Sequence, residues 1–114
     1  MQNTVSKPRN SWMMLSSDRE EFINTPGSLN KLQEIINENN INIDTVEIMK
    51  SLPTYTRYMT VNQRATFTAY FWRQMSIHSI RCECGFKSIN DVERPLKSAI
   101  QKYIKMLKAD YGVK

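Results

Sequence analysis

Glycine and proline are scarce in this chain: three of the first and four of the second among 114 residues. That scarcity favours helices over an all-β fold, which needs turn residues at short intervals. No run of ~18 apolar residues exists, which excludes a membrane-spanning helix. The opening residues Met1 to Pro8 lack an apolar stretch and a small-residue cleavage site. No secretory signal is therefore read there, and a cytoplasmic location is expected. Catalytic patterns are missing as well: there is no glycine-rich phosphate loop and no His-Glu-x-x-His pair. His78 has no serine or cysteine partner at a recognisable spacing, and Asp18, Glu20 and Glu21 read as the acidic first turn of a helix. Neither enzymatic activity nor a cofactor is expected. Cysteine is limited to Cys82 and Cys84. Two residues apart on a predicted helix, they do not face each other, so they are read as free thiols in a reducing compartment. Zinc takes about four ligands, and these thiols with His78 fall short unless carboxylates or a second copy complete the set, so no metal is expected.

The residues that are present mark a series of short helices in one domain with a modest core. Ser16 or Ser17 caps a short helix lined by Leu15, Arg19, Phe22 and Ile23, which Asn24 to Gly27 break. Ser28 caps the next, whose face is Leu29, Leu32, Ile35 and Ile36, and Asn39-Asn40 ends it. Asp44-x-x-Glu47 opens a segment from Thr45 to Leu52, with Pro53 as its stop and 53–58 as a connector. Thr60 caps a helix running to about Arg73, with Phe67, Tyr70 and Phe71 facing inward beside Val61 and the Arg64 stem, and Trp72 at its end. Ser76 then starts a helix with Ile77, Ile80 and Cys84 on one face. After Gly85, Lys87-Ser88-Ile89 leads into a long last helix striped by Val92, Leu96, Ala99, Ile100, Tyr103 and Leu107.

Charge is unevenly placed. Residues 1–58 carry six Lys or Arg against seven acids, a net of −1, and residues 59–114 carry ten against four, a net of +6. A basic half attached to a near-neutral one points to a polyanion on one face. The close helix, turn, helix spacing around Gly85 is one that lays its second helix in a DNA major groove.

The segment from Met59 to Phe67, Met-Thr-Val-Asn-Gln-Arg-Ala-Thr-Phe, resembles the Leu-Thr-Pro-x-Gln-Arg-x-Val-Phe opening of the carboxy-terminal promoter-binding domain of bacterial sigma factors. The likeness continues from Tyr70 through Ile80, similar to Arg-Tyr-x-x-Gly-x-Ser-x-x-Glu-Ile. It then runs through Gly85 to Ile89 and into Leu96 to Ile104, covering about half the chain. The Lys-Ser-Ile opening and Lys-Tyr close of the last helix are most similar to stationary-phase and sporulation sigma factors. Phage late-transcription regulators share the framework. Two positions depart from it. Arg81 stands where the family places Ala, so its stem must snorkel or the helix pair must be splayed. Pro95 inside a helix costs ~3 kcal/mol or more, so the last helix is expected to restart with Asp91 as its cap, placing Pro95 in the first turn.

The resemblance implies an all-α fold, a small helical bundle with a carboxy-terminal helix-turn-helix in 59–114 and a long basic last helix. Residues 1–58 would form a tail and helical segment that closes the core or meets a partner. The implied function is that of a sequence-preferring transcriptional regulator binding double-stranded DNA, phage- or mobile-element-encoded, with RNA polymerase and a second copy as further contacts. Lys87, Ser88, Asn90 and Arg94 lie where base edges are reached, and Lys97, Lys102 and Arg73 are the phosphate contacts. Trp12, Leu29, Leu32 and Ile36 are the candidate partner or dimer surface. Two alternatives use the same scaffold: a phage small terminase subunit reading a packaging site, and a protein-binding adaptor or inhibitor.

Overall fold

The computed structural model describes residues 23–111, which are all-helical, without a strand among them. The element order is α1 (Leu29–Glu38), α2 (Thr45–Thr56), α3 (Val61–Phe67), a π turn (Thr68–Trp72), α4 (Ile77–Cys84) and α5 (Ile89–Tyr111).

Side-chain caps start the helices. The Ser28 hydroxyl accepts from the Lys31 amide at 3.2 Å, and an Asp44 carboxylate oxygen accepts from the Glu47 amide at 2.9 Å. Thr60 and Gln63 form a reciprocal capping box: Gln63 N–H donates to the Thr60 hydroxyl at 3.2 Å, and Thr60 N–H donates to Gln63 Oε1 at 2.9 Å. Each such bond satisfies an amide that the first helical turn leaves without a partner. α1 closes through Asn40 at φ 64°, which lets the Ile41 amide reach back to the Ile36 carbonyl at 3.3 Å.

Two prolines behave differently from the sequence reading. Pro53 lies inside α2, which continues to Thr56, so 53–58 is not simply a connector. Pro53 has no N–H to offer the Met49 carbonyl. One turn on, the Thr56 hydroxyl donates to the Leu52 carbonyl at 2.7 Å and supports the helix past the break. Pro95 lies inside α5, and that helix begins at Ile89, not after Asp91. Ser88 starts it, its hydroxyl accepting from the Asp91 amide at 3.2 Å. The missing bond at Pro95 is thus carried within a continuous 23-residue helix.

One core joins all these elements. Leu32, Ile35 and Ile36 of α1, Ile48 and Tyr55 of α2, Phe67 of α3, Tyr70 and Phe71 of the π turn, Ile77 and Ile80 of α4 and the α5 stripe belong to a single buried cluster. Leu32 and Ile36, expected on a partner or dimer surface, are 0% exposed. They are spent on this chain's own core, so that expectation is corrected, while Leu29 is half-buried and Trp12 lies outside the described residues. The Ser16/Ser17-capped helix also falls there, except that Ile23 packs against the core. Val61 and Arg64, expected to face inward on α3, are exposed, as is Cys84 on α4.

Three consecutive residues of the π turn, Ala69, Tyr70 and Phe71, are all buried, which takes cover from more than one side. A regular α-helix turns ~100° per residue and cannot point three neighbours at one partner. Here the Arg73 amide donates to the Thr68 carbonyl at 3.0 Å, five residues back. The segment is enclosed from a second side by the chain at Gly27, whose amide donates to the Met75 carbonyl at 3.2 Å. Phe71 stacks edge-on against Phe67 and Tyr70, with ring centroids 4.9 Å apart in both pairs.

Candidate nucleic-acid interface

The helix pair is α4 and α5, joined by 85–88. α4 begins at Ser76, whose hydroxyl accepts from the Ser79 amide at 3.1 Å. It ends at Gly85, at φ 77°, and the next amide, that of Phe86, reaches back to the Arg81 carbonyl at 3.0 Å. The left-handed residue is what closes the helix so abruptly. Phe86 then packs against the core and fixes the turn. Arg81 is half-buried, with a guanidinium nitrogen 3.7 Å from Cys82 Sγ.

α5 packs most extensively on α3 and next on α4. Its inward face, Val92, Leu96, Ala99, Ile100, Tyr103, Ile104 and Leu107, is buried. On the other side, Asn90, Arg94, Lys97, Gln101, Lys105 and Lys108 are all exposed. Successive members are three or four residues apart, so they form one line along the helix. Asp91 and Glu93, both half-buried, flank its first turns, and from Lys97 to Lys108 it has no acid beside it. At 1.5 Å per residue α5 is about 35 Å long, so the line runs most of the length of the molecule's longest rod.

Of the expected DNA-contacting residues, Asn90, Arg94 and Lys97 fall on this line, and Lys87 and Ser88 are exposed just before it. Ser88 uses its hydroxyl to cap α5. Lys102 is half-buried at the flank, and Arg73 is exposed on a different element, at the end of the π turn. Gln101, Lys105 and Lys108 were not singled out from the sequence as contact residues; the signal lay in the three-and-four spacing, once the helix was known to be continuous.

At the amino-terminal end of this line an open cleft of about 580 Å³ separates the first turn of α3 from the α4–α5 turn. Thr60, Asn62 and Gln63 form one wall, and Lys87 and Arg94 contribute positive charge to the other, with Asp91 between them. Gln63 ties the walls together, donating from Nε2 to the Ser98 hydroxyl at 2.7 Å. These α3 residues also went unrecognised as part of a site in the sequence.

The lower half of α5 is anchored by tyrosines. Ser51 donates its one hydroxyl proton to the Ile48 carbonyl at 2.7 Å, so Tyr103 is the donor in its 2.7 Å contact with Ser51 Oγ. Tyr55 donates to the Asp110 carboxylate and Tyr111 to Glu47. α2 thereby holds the carboxy-terminal end of the rod from its inner side, leaving the cationic line clear.

His78 Nε2 and Cys82 Sγ are 3.9 Å apart on the exposed side of α4, and Cys84 is exposed separately. Among the described residues, no three or more His, Cys, Asp or Glu side chains are gathered where they would hold a metal ion. No described helix is long and apolar enough to cross a membrane. No family model, curated protein or solved structure matches this chain.

Proposed function

We propose that this chain is a sequence-preferring DNA-binding transcriptional regulator of the sigma-like helix-turn-helix type, encoded by a phage or mobile element. The observation that carries the reading is the exposed line of Asn90, Arg94, Lys97, Gln101, Lys105 and Lys108, flanked by Asp91 and Glu93 only at its start, on the second helix of a tightly turned pair. A B-form major groove is about 12 Å wide and admits one such helix. In this reading the first turns of α5 enter the groove. Asn90 offers the bidentate amide that suits adenine, and Arg94 the guanidinium that suits guanine, each worth ~1–3 kcal/mol of discrimination. Lys87 lies with them at the base edges, Lys97 contacts phosphates and sets the register, and Lys105 and Lys108 extend the cationic track along the backbone. One helix pair makes few base contacts, so a second copy on a second half-site and RNA polymerase are the protein partners the reading calls for.

Duplex binding measured against salt tests it. Affinity is expected to fall with a log–log slope of about −0.9 per phosphate neutralised. Lys97→Ala should weaken binding on all sequences and make the slope shallower by ~1, and Arg94→Ala should also relax base preference. Glu34→Ala, on the exposed side of α1, should change neither. Fragments selected from random duplex DNA at stated salt would give the preferred sequence. Salt-insensitive binding, or no binding at low salt, overturns the proposal.

A further inference from the structure

A second surface lies away from the cationic line. α2 and the π turn face each other across a groove of about 350 Å³, lined by Met49, Leu52, Pro53, Phe67, Phe71 and Trp72, with the methyl-bearing Thr56 and Thr68 at its edges. Its lining is apolar, yet Met49 is 40% and Trp72 51% exposed. Tryptophan is the residue type most concentrated in binding hot spots, and methionine adapts its shape to what it meets.

The groove is also where both backbone irregularities of this region converge. On one wall Pro53 sits inside α2, and on the other is the π turn of 68–72. Each gives up regular helical hydrogen bonding, and single-turn π segments are frequent at functional sites.

Charge defines the occupant. Residues 48–82 contain no Asp or Glu but carry Lys50, Arg57, Arg64, Arg73 and Arg81. Lys50 is one turn before the lining residue Pro53 and Arg57 one turn after it, Arg64 is one turn before Thr68, and Arg73 follows Trp72 at the end of the π turn; all four are exposed. We propose that this groove docks an acidic amphipathic helix of a partner protein, with apolar anchors one turn apart entering between α2 and the π turn and carboxylates meeting the basic rim. The site is separate from the DNA-reading face and does not depend on it.

The probe is a synthetic helical peptide with leucines at i and i+4, a phenylalanine at i+7 and glutamates elsewhere, compared with the same peptide bearing lysines. Full-length Trp12→Phe chain leaves Trp72 as the only tryptophan, so its emission reports the groove. The acidic peptide should saturate and shift that emission to the blue, and the lysine peptide should not bind. Met49→Glu and Arg57→Glu should each weaken the acidic peptide at least tenfold, and Lys108→Ala should not. Both altered side chains are exposed, and Arg57 is outside the lining, so a folding defect in one is checked by the other. Equal binding of both peptides, or indifference to both substitutions, overturns the proposal. So do two other outcomes: a self-association abolished by Met49→Glu, which makes a second copy the occupant, or a Trp72 already shielded from quencher in the unliganded chain and released by Trp12→Ala, which makes residues 1–22 the occupant.

Discussion

A methyl group placed on Gly27 would stand 2.1 Å from the Tyr70 carbonyl oxygen and 2.7 Å from the Tyr70 ring. Backbone cannot retreat from such a clash without moving the π turn that it encloses. Gly27→Ala is therefore expected to cost ~3 kcal/mol, the upper end for overpacking a closed site. Gly85 is constrained differently. Nothing lies within 4 Å of its absent Cβ, but its φ of 77° is one that L side chains resist. Gly85→Ala should cost ~1 kcal/mol, and Gly85→Asn less, because Asn tolerates the left-handed region. Urea unfolding of the three variants would check this order; equal losses at Gly27 and Gly85 would show that space is not what fixes Gly27. The sequence marks both positions only as breaks. That one glycine answers to packing and the other to a dihedral became legible with the fold.

At the scale of elements, boundaries made by local chemistry were readable and those set by prolines were not. Ser28, Asp44, Thr60 and Ser76 each announce a helix because a cap is a local arrangement, made within three residues of the side chain that makes it. Asn39-Asn40 and Gly85 likewise mark the ends of α1 and α4, but whether a helix stops at a proline depends on partners far away in sequence. Pro53 reads locally as a stop, yet α2 runs through it because Tyr55 beyond the proline is buried, with its ring 5.5 Å from that of Tyr103. Pro95 likewise reads as a restart, but Val92 and Leu96 on either side are both held in the core. The π turn left no local trace at all, since Thr60 to Arg73 keeps an ordinary helical period. If tertiary packing is what carries α2 across Pro53, replacing the proline restores a hydrogen bond without altering that packing. Pro53→Ala should then raise stability by ~1–3 kcal/mol, part of the ~3 kcal/mol penalty of an interior proline. A thermal melt lower than that of the parent chain would mean the ring's contacts in the groove outweigh the restored bond.

At the scale of the whole molecule, the charge contrast between 1–58 and 59–114 marks no structural division, because α1 and α2 bury their apolar faces in the core that α5 completes. The all-helical class and the burial stripe of α5 were legible from composition and period, whereas the joint core was not, since periodicity tells which face is buried and not against what. Tyrosines make the joint testable. Burial pushes Tyr70 and Tyr103 up to about 12 from an ordinary 10.0. Tyr55 is raised as well, by burial first and then by its bond to the Asp110 carboxylate. Above pH 10 the unfolded chain releases these protons while the folded one retains them, so stability is intact below pH 10 and falls as the pH climbs toward 12. Each fully buried tyrosine should withdraw on the order of 2 kcal/mol over that window. Because Tyr103 is bonded to Ser51 of α2 and stacked near Phe67 of α3, its ionisation loosens both halves together. In a Tyr58→Phe, Tyr111→Phe chain, which keeps only the three buried tyrosines, alkaline unfolding followed by helical circular dichroism and by tyrosinate absorbance should therefore show one coincident transition. A two-step loss of helix would mean that the first two helices are not part of the same cooperative unit as the basic rod, and tyrosinate forming in that chain while its helices stay intact would mean that the buried rings do not link ionisation to unfolding.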